Sequence, residues 1–277
     1  MFSTQVEVFK MNPRSLEFYH AAIKNAYPDA ACIRQPEIIG MVAPVFLADV
    51  LNRTVVCRFS APQIIFKNKI VSDLFRDYDI PAPQTRVHAY VGSWFEAYDY
   101  CTDKTLYEHM QSGLPDDKIF DAYTSVFKIQ DKISRIPTYE FLPKDFRYHV
   151  QMLNATSPRR DMLSKLYADF VYSRSARGVQ RLLHNDIHSK NILYSPETGC
   201  ARLIDLDAVS LCNENFTMLM TVQRYPLKNV RQLMSAYQDI TGRSLDINKI
   251  LFACNMMQVL HVLRHPIKAW QEQNRQK

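Results

Sequence analysis

The chain has 277 residues, 47% of them hydrophobic and 12% aromatic, enough apolar mass for a sizeable core and too much for a disordered chain. Glycine occurs only 6 times, and no two glycines stand close enough for a dinucleotide fingerprint or a Walker loop, which argues against a Rossmann oxidoreductase and a P-loop NTPase. The net charge of +6 is below that of a dedicated nucleic-acid binder, so no nucleic-acid partner is expected; it suits a solvated surface or a polyanionic small ligand such as a nucleoside triphosphate.

The opening stretch, MFSTQVEVFK, has no basic run followed by an apolar one, so no secretory leader is expected. Ser15–Tyr27 carries apolar residues at helical spacing behind a serine able to cap them. From Cys32 to Ser60 the pattern becomes extended, and breaks at Gly40, Pro44 and Asn52–Arg53 suggest a three-stranded meander. Its most apolar part, Ile38–Ala48, is too short to cross a bilayer, so no membrane span is expected. Ile64–Tyr78 reads as a helix closed by Asp79 and Pro81. Arg86–Val91 and Trp94–Tyr98 read as strands joined at Gly92–Ser93. Beyond Asp103 helices dominate: Asp116–Ile133, Ser157–Ser175 with a Ser-Pro start, Pro226–Thr241 stopped by Gly242, and Asp246–Leu263 behind a capping aspartate. A strand-rich insert, Arg181–Val209, interrupts them. The 6 cysteines form no C-x-x-C pair; most have apolar neighbours and read as core residues, and a reducing cytoplasmic setting is expected.

The insert carries the chemistry. In LLHNDIHSKNILYSPETGCARLIDLDAVSL, His184, Asp186 and Asn191 form H-x-D-x-x-x-x-N. A turn at Pro196–Gly199 and an apolar strand ending in Asp205 follow, with Asp207 two residues on. If Ala201–Ile204 pairs back on Ile192–Tyr194, Asp205 comes close to Asn191. A carboxylate and an amide oxygen are hard donors of the kind Mg²⁺ shares with phosphates, and Asp186 remains free to meet an alcohol. The same residues have plainer readings: Asx turns for Asp186 and Asn191, a strand-end cap for Asp205, a loop-holding hydrogen bond for His184.

This segment resembles the catalytic core of the aminoglycoside phosphotransferase and choline kinase superfamily, built on the protein-kinase fold. The resemblance implies an α+β, bilobal, protein-kinase-like chain, with a small β-rich N-terminal lobe over residues 1–100 and a larger helical C-terminal lobe over 101–277. It implies Asp186 as catalytic base, His188 where protein kinases carry a lysine, and Asn191 and Asp205 as magnesium ligands. Asp207 falls at a second acidic position, supporting metal or loop. Asn185 and Lys190 are particularly similar to choline and ethanolamine kinases. Arg58, on the third strand, matches the cation that meets the phosphates of ATP. Gly40 marks a phosphate loop with a single glycine, and Asp99, Tyr100 and Cys101 fall at the hinge that meets adenine. The helix position expected to hold a glutamate partner for Arg58 is Asn68, so that ion pair reads as missing, with Lys67 or Lys69 as possible substitutes.

The expected activity is transfer of the ATP γ-phosphate to a hydroxyl of a small molecule: a choline- or ethanolamine-like amino alcohol, an aminoglycoside or a sugar. Glu214, Phe216, Tyr225 and Trp270 are candidates for the acceptor pocket, where aromatic and acidic groups would suit a cation; the plain reading of such aromatics is core. His261 and His265 lack the glutamate of a metalloprotease helix, and Arg159–Arg181 reads as a solvated face. Two rivals remain: a pseudokinase that binds a nucleotide or partner, and a protein kinase, although D-F-G and A-P-E are lacking.

Overall fold

The structure, a computed structural model, describes residues 15–36, 43–137, 181–252 and 254. Among these, residues up to Lys104 together with Arg202–Asp207 form one compact unit. Those of Thr105–Ala201 and from Ala208 onward form a second. Gly40, the Ser157–Ser175 helix, the Arg159–Arg181 run before Arg181, His261, His265 and Trp270 lie outside the described residues.

The first unit is a sheet with two helices. Helix α1 (Leu16–Ala26) starts where Ser15 Oγ accepts the N–H of Phe18 at 3.3 Å, and its stripe of Tyr19, Ala22 and Ile23 is buried. Strands β1 (Ala30–Arg34), β2 (Val45–Val50), β3 (Arg53–Phe59), β4 (Arg86–Tyr90) and β5 (Ser93–Asp99) form an antiparallel sheet in the order β1-β2-β3-β5-β4. Its core is aromatic: Phe59 stacks on Phe95 at 4.8 Å and meets Tyr19 edge-on at 4.7 Å. The turns sit one residue earlier than the sequence suggests. Leu51 and Asn52 join β2 to β3, and Val91 and Gly92 join β4 to β5. Val91 and Gly92 both take positive φ (42° and 69°), which matches the right-handed twist of a two-residue hairpin. Helix α2 (Pro62–Asp77) begins with proline in its first turn and buries Ile65, Asn68, Val71, Ser72 and Phe75. Ser72 Oγ donates to Pro83 O (3.0 Å) and accepts the N–H of Thr85 (2.8 Å), binding the chain that leaves the helix back onto it.

The second unit is built on helix α4 (Asp116–Arg135), preceded by the short α3 (Leu106–Gln111), which Thr105 and Glu108 close with a reciprocal capping box. Strand β6 (Arg181–His184) pairs with β9 (Val209–Cys212), and β7 (Ile192–Ser195) with β8 (Cys200–Leu203), whose last residues lead the chain into Arg202–Asp207. Helix α5 (Glu214–Gln223) follows β9. Helix α6 (Val230–Thr241) begins later than Pro226, behind Asn229, and ends at Gly242 in the left-handed conformation. Phe127 of α4 meets Tyr237 of α6 edge-on at 5.1 Å in the core. A helical stretch over 247–252 starts behind Asp246, whose Oδ1 accepts the N–H of Lys249 at 3.1 Å.

The cysteines correct the sequence reading. All six are free thiols, but only Cys57 and Cys254 are buried, and Cys32 and Cys200 are exposed. In β8 the two-residue period turns Ala201 and Leu203 inward and leaves Cys200 outside, so apolar neighbours do not imply burial.

Candidate active site

Two polar clusters stand out, one in each unit. In the first unit, Arg58 on β3 and Glu96 on β5 are direct cross-strand partners, so their side chains leave the sheet on one face, side by side. Arg58 Nη1 donates to Glu96 Oε1 at 3.0 Å and to Asp207 Oδ1 at 2.7 Å, and its Nη2 donates to Asp207 Oδ2. Nη1 is also 3.8 Å from a carboxylate oxygen of Asp205. From α2, Asn68 Nδ2 donates to both oxygens of Glu96 (3.1 and 3.0 Å) and to Asp207 Oδ1 (2.6 Å), while Lys67 Nζ donates to the Asp207 carbonyl. A cavity of about 20 Å³, room for one water, lies among Arg58, Asn68, Glu96 and Asp205.

The electrostatics follow from burial and pairing. Burial opposes the charge on Arg58, but the hydrogen bonds and charges of Asp207 and Glu96 outweigh it and hold the guanidinium protonated. Burial pushes the Glu96 carboxyl up to about 7 against the pull of Arg58 and Asn68. It also brings Lys67 down to about 8. Burial acts to raise Asp207 too, yet Arg58 and Asn68 prevail and lower it.

In the second unit the loop after β6 is held from inside. Asn185 Nδ2 donates to Ser210 Oγ (2.7 Å) and to the carbonyls of Leu183 and Ala208 (both 3.3 Å), and its Oδ1 accepts the Thr217 hydroxyl. The buried Gln130 of α4 accepts the His184 N–H at 3.1 Å, and His184 Nδ1 accepts the N–H of Asp186 at 3.3 Å. Asp186 is thereby presented with three neighbours. Asn191 Nδ2 donates to its Oδ2 at 2.9 Å, His188 Nε2 lies 3.4 Å from the same oxygen, and Arg224, at the end of α5, donates to Oδ1. His188 Nδ1 accepts the Lys190 N–H (3.2 Å), which leaves the ring proton on Nε2, facing Asp186. Burial works to raise the Asp186 pKa, but the His188 hydrogen bond and the Arg224 charge, with smaller pulls from the His188 and His184 rings, overcome it and bring it to about 2.

Of the residues singled out in the sequence, Arg58, Asp205 and Asp207 meet in the first unit, and Asp186, His188 and Asn191 meet in the second. Asp99 is engaged by Arg53 and Arg86, the Tyr100 N–H donates to Thr54 O at 2.9 Å, and Cys101 Sγ donates to Asp103 at 3.4 Å. Arg58 has no glutamate partner on the helix, as the sequence indicates. Asn68 does occupy the helix, but Glu96 supplies the carboxylate from the neighbouring strand. Asp207 is the bidentate partner of Arg58. Two of the acceptor candidates are engaged within the fold. Tyr225 is a core residue packed edge-on against Tyr123 at 4.8 Å, and Glu214 is paired with Arg181 (3.3 Å) and Arg243 (3.1 Å). Glu96 and Arg224 escaped the sequence reading. Glu96 left one trace, an acidic residue inside the apolar strand WFEAY; Arg224 left none.

Magnesium calls for hard oxygen donors. Asn191 spends its Nδ2 on Asp186, and among the described residues no donor takes its Oδ1, a hard oxygen of the kind that ion prefers. Asp205 carries an exposed carboxylate on a backbone at φ 63°, an uncommon conformation for a residue with a side chain. Both fit. Asp207 is already engaged, its Oδ1 accepting from Arg58 and Asn68 and its Oδ2 from Arg58.

No protein-family profile matches the chain. No curated protein matches it either. Solved structures do. The GDP complex of aminoglycoside 2'-phosphotransferase-IIIa matches with a TM-score of 0.65 and 18% identity, over 94% of this chain and 96% of that one. The aminoglycoside phosphotransferase from Streptomyces rimosus with ADP and streptomycin matches with a TM-score of 0.63 and 14% identity, over 88% and 98%. The macrolide 2'-phosphotransferase from Brachybacterium faecium matches with a TM-score of 0.57 and 13% identity, over 92% and 93%. The chain has the fold of the aminoglycoside and macrolide phosphotransferases. That fold is α+β and protein-kinase-like, and at these identities the likeness speaks for the fold alone.

Proposed function

We propose that this chain is a small-molecule kinase that moves the γ-phosphate of ATP to an alcohol. The observation that carries the reading is the Asp186 carboxylate, presented on a loop clamped by Asn185, flanked by Asn191 and His188, in a chain with a phosphotransferase fold. The acceptor oxygen forms a bond to the γ-phosphorus, the bond from phosphorus to the bridging oxygen breaks, and ADP leaves. Asp186 takes the hydroxyl proton. A carboxylate with a pKa of about 2 is a feeble base, so its first task is to orient the hydroxyl, and the proton passes late, after the bond to the leaving group has loosened.

In this reading the first unit holds the nucleotide, with Arg58 as the phosphate cation, the Asp99–Cys101 run against the base and Gly40 in the phosphate loop. Asn191 and Asp205 are the oxygen donors for Mg²⁺, which when bound neutralises phosphate charge. Asp207 anchors Arg58, and His188 steadies Asp186 through its Nε2 proton. Because Tyr225 and Glu214 are occupied within the fold, an aromatic cage for a cationic amino alcohol finds no support at those two positions. The reading places the protein in the cytoplasm; among the described residues no helix is long and apolar enough to cross a membrane.

The test is an ADP-release assay with Mg·ATP across amino alcohols, aminoglycosides, macrolides, sugars and nucleosides, with Asp186→Ala alongside. Acceptor-dependent turnover that falls by roughly a thousandfold or more in the variant is the expected result. Undiminished turnover in Asp186→Ala overturns the mechanism. Tight Mg·ATP binding without turnover on any acceptor favours a nucleotide-binding pseudokinase instead.

A further inference from the structure

A buried carboxylate is costly unless it is paired and fully hydrogen-bonded. Glu96 is 2% exposed, and its partners are Arg58 from the neighbouring strand and Asn68 from α2. Asn68 is equally buried, and its amide bridges Glu96 to Asp207. We propose that Glu96 is the positioning carboxylate that holds Arg58 ready for the nucleotide phosphates, and that Asn68 is its neutral clip, so that the ion pair runs between two strands instead of between strand and helix. The inference rests on the reading that Arg58 meets the nucleotide.

Three observations support it. Arg58 and Glu96 face each other in the β3–β5 register, so the sheet itself fixes the spacing, with Nη1 and Oε1 at 3.0 Å. The identity of residue 68 is explained by charge. Glu96 and Asp207 already lie against Arg58 and Lys67, and a glutamate at 68 would crowd a further carboxylate among them. The shorter, neutral amide of asparagine donates to both acids without adding charge. Finally, Arg58 Nη1 is shared between Glu96 and Asp207. Without Glu96 nothing on β5 would hold the guanidinium, which would be left to Asp207 and, at 3.8 Å, Asp205.

The experiment measures Mg·ADP affinity by calorimetry on the full chain, with thermal melts of every variant. Glu96→Gln removes the charge and keeps the volume, and should weaken Mg·ADP binding about tenfold. Adding Asn68→Glu to it returns the carboxylate from the helix side and should restore most of that loss. A purely structural role would lower the melting temperature without such rescue. Should Glu96→Gln fold poorly, Glu96→Asp keeps the charge but withdraws it by one methylene, and should cost several-fold in affinity. Wild-type protein that binds Mg·ADP while folded Glu96→Gln or Glu96→Asp binds as tightly overturns the inference alone. A folded double variant without recovery does the same. Wild-type protein that binds no Mg·ADP at millimolar concentration overturns the functional reading and this inference with it.

Discussion

Replacing Asn185 by alanine should be among the most damaging single changes in the second unit. The side chain is 9% exposed and uses both ends of its amide. Its Nδ2 serves Ser210 Oγ and the carbonyls of Leu183 and Ala208, and its Oδ1 takes the Thr217 hydroxyl. The Ala208 carbonyl keeps a bond from the Asn185 backbone N–H at 3.3 Å. Thr217 keeps a long one, at 3.4 Å, to Asn213 O and a weak one with the Cys212 thiol. Two hydroxyls are thus left poorly satisfied in the interior, at about 1–3 kcal/mol each, so a loss of roughly 2–6 kcal/mol is expected. Asn185→Asp should be no milder, because it places acceptor oxygens against two carbonyls. Urea unfolding of wild type, Asn185→Ala, Thr217→Val and the double variant measures the loss and the coupling between the two residues. Hydrogen exchange at Asp186 and Ile187 should report a loosened loop in Asn185→Ala. A loss below about 0.5 kcal/mol, as for an ordinary surface residue, or full additivity of the two substitutions, would refute the reasoning.

Other expectations are simpler. Arg224→Ala removes one of the charges that keep Asp186 low. Because the folded-state pKa is depressed to about 2, the ionised carboxylate adds stability above the unfolded pKa of about 3.8, and that stability drains away as pH falls towards 2. The gap in urea stability between wild type and Arg224→Ala should therefore narrow from pH 6 to pH 3; a constant gap contradicts the assignment. Tyr225→Phe should leave the acceptor KM unchanged and cost about 1 kcal/mol through its lost bond to Asn229, and a KM raised tenfold would return Tyr225 to the acceptor site. Gly242→Ala meets no atom within 4 Å but must adopt φ +66°, so thermal unfolding should show a loss of about 1 kcal/mol. No measurable change there would mean that the helix end relaxes.

Much of the local structure is legible in the chain because it is decided within a few residues. Ser15 ahead of a three-four apolar stripe makes α1, Asp246 caps the stretch after it, and Gly242 ends α6. The spacing of His184, Asp186 and Asn191 likewise keeps them together, His184 at the end of β6 and the other two on the loop after it, since the intervening residues cannot stray far. The helix start near Pro226 failed because proline permits a first turn without requiring one, and the chain waits until Asn229.

The polar partnerships were beyond such reading. Arg58 and Glu96 lie 38 residues apart and meet only because β5 inserts between β3 and β4, a strand order that apolar alternation does not encode. Asn68 looked like a loss when judged against a motif; in the fold it donates to Glu96, a carboxylate carried by the sheet, and to Asp207. Tyr225 looked available for a cation, but the packing of α4 turned it inward against Tyr123. Short-range propensity chooses the elements and the loop that bears Asp186. Which charge faces which is chosen by register and burial, where an unpaired group costs more than any local preference can supply.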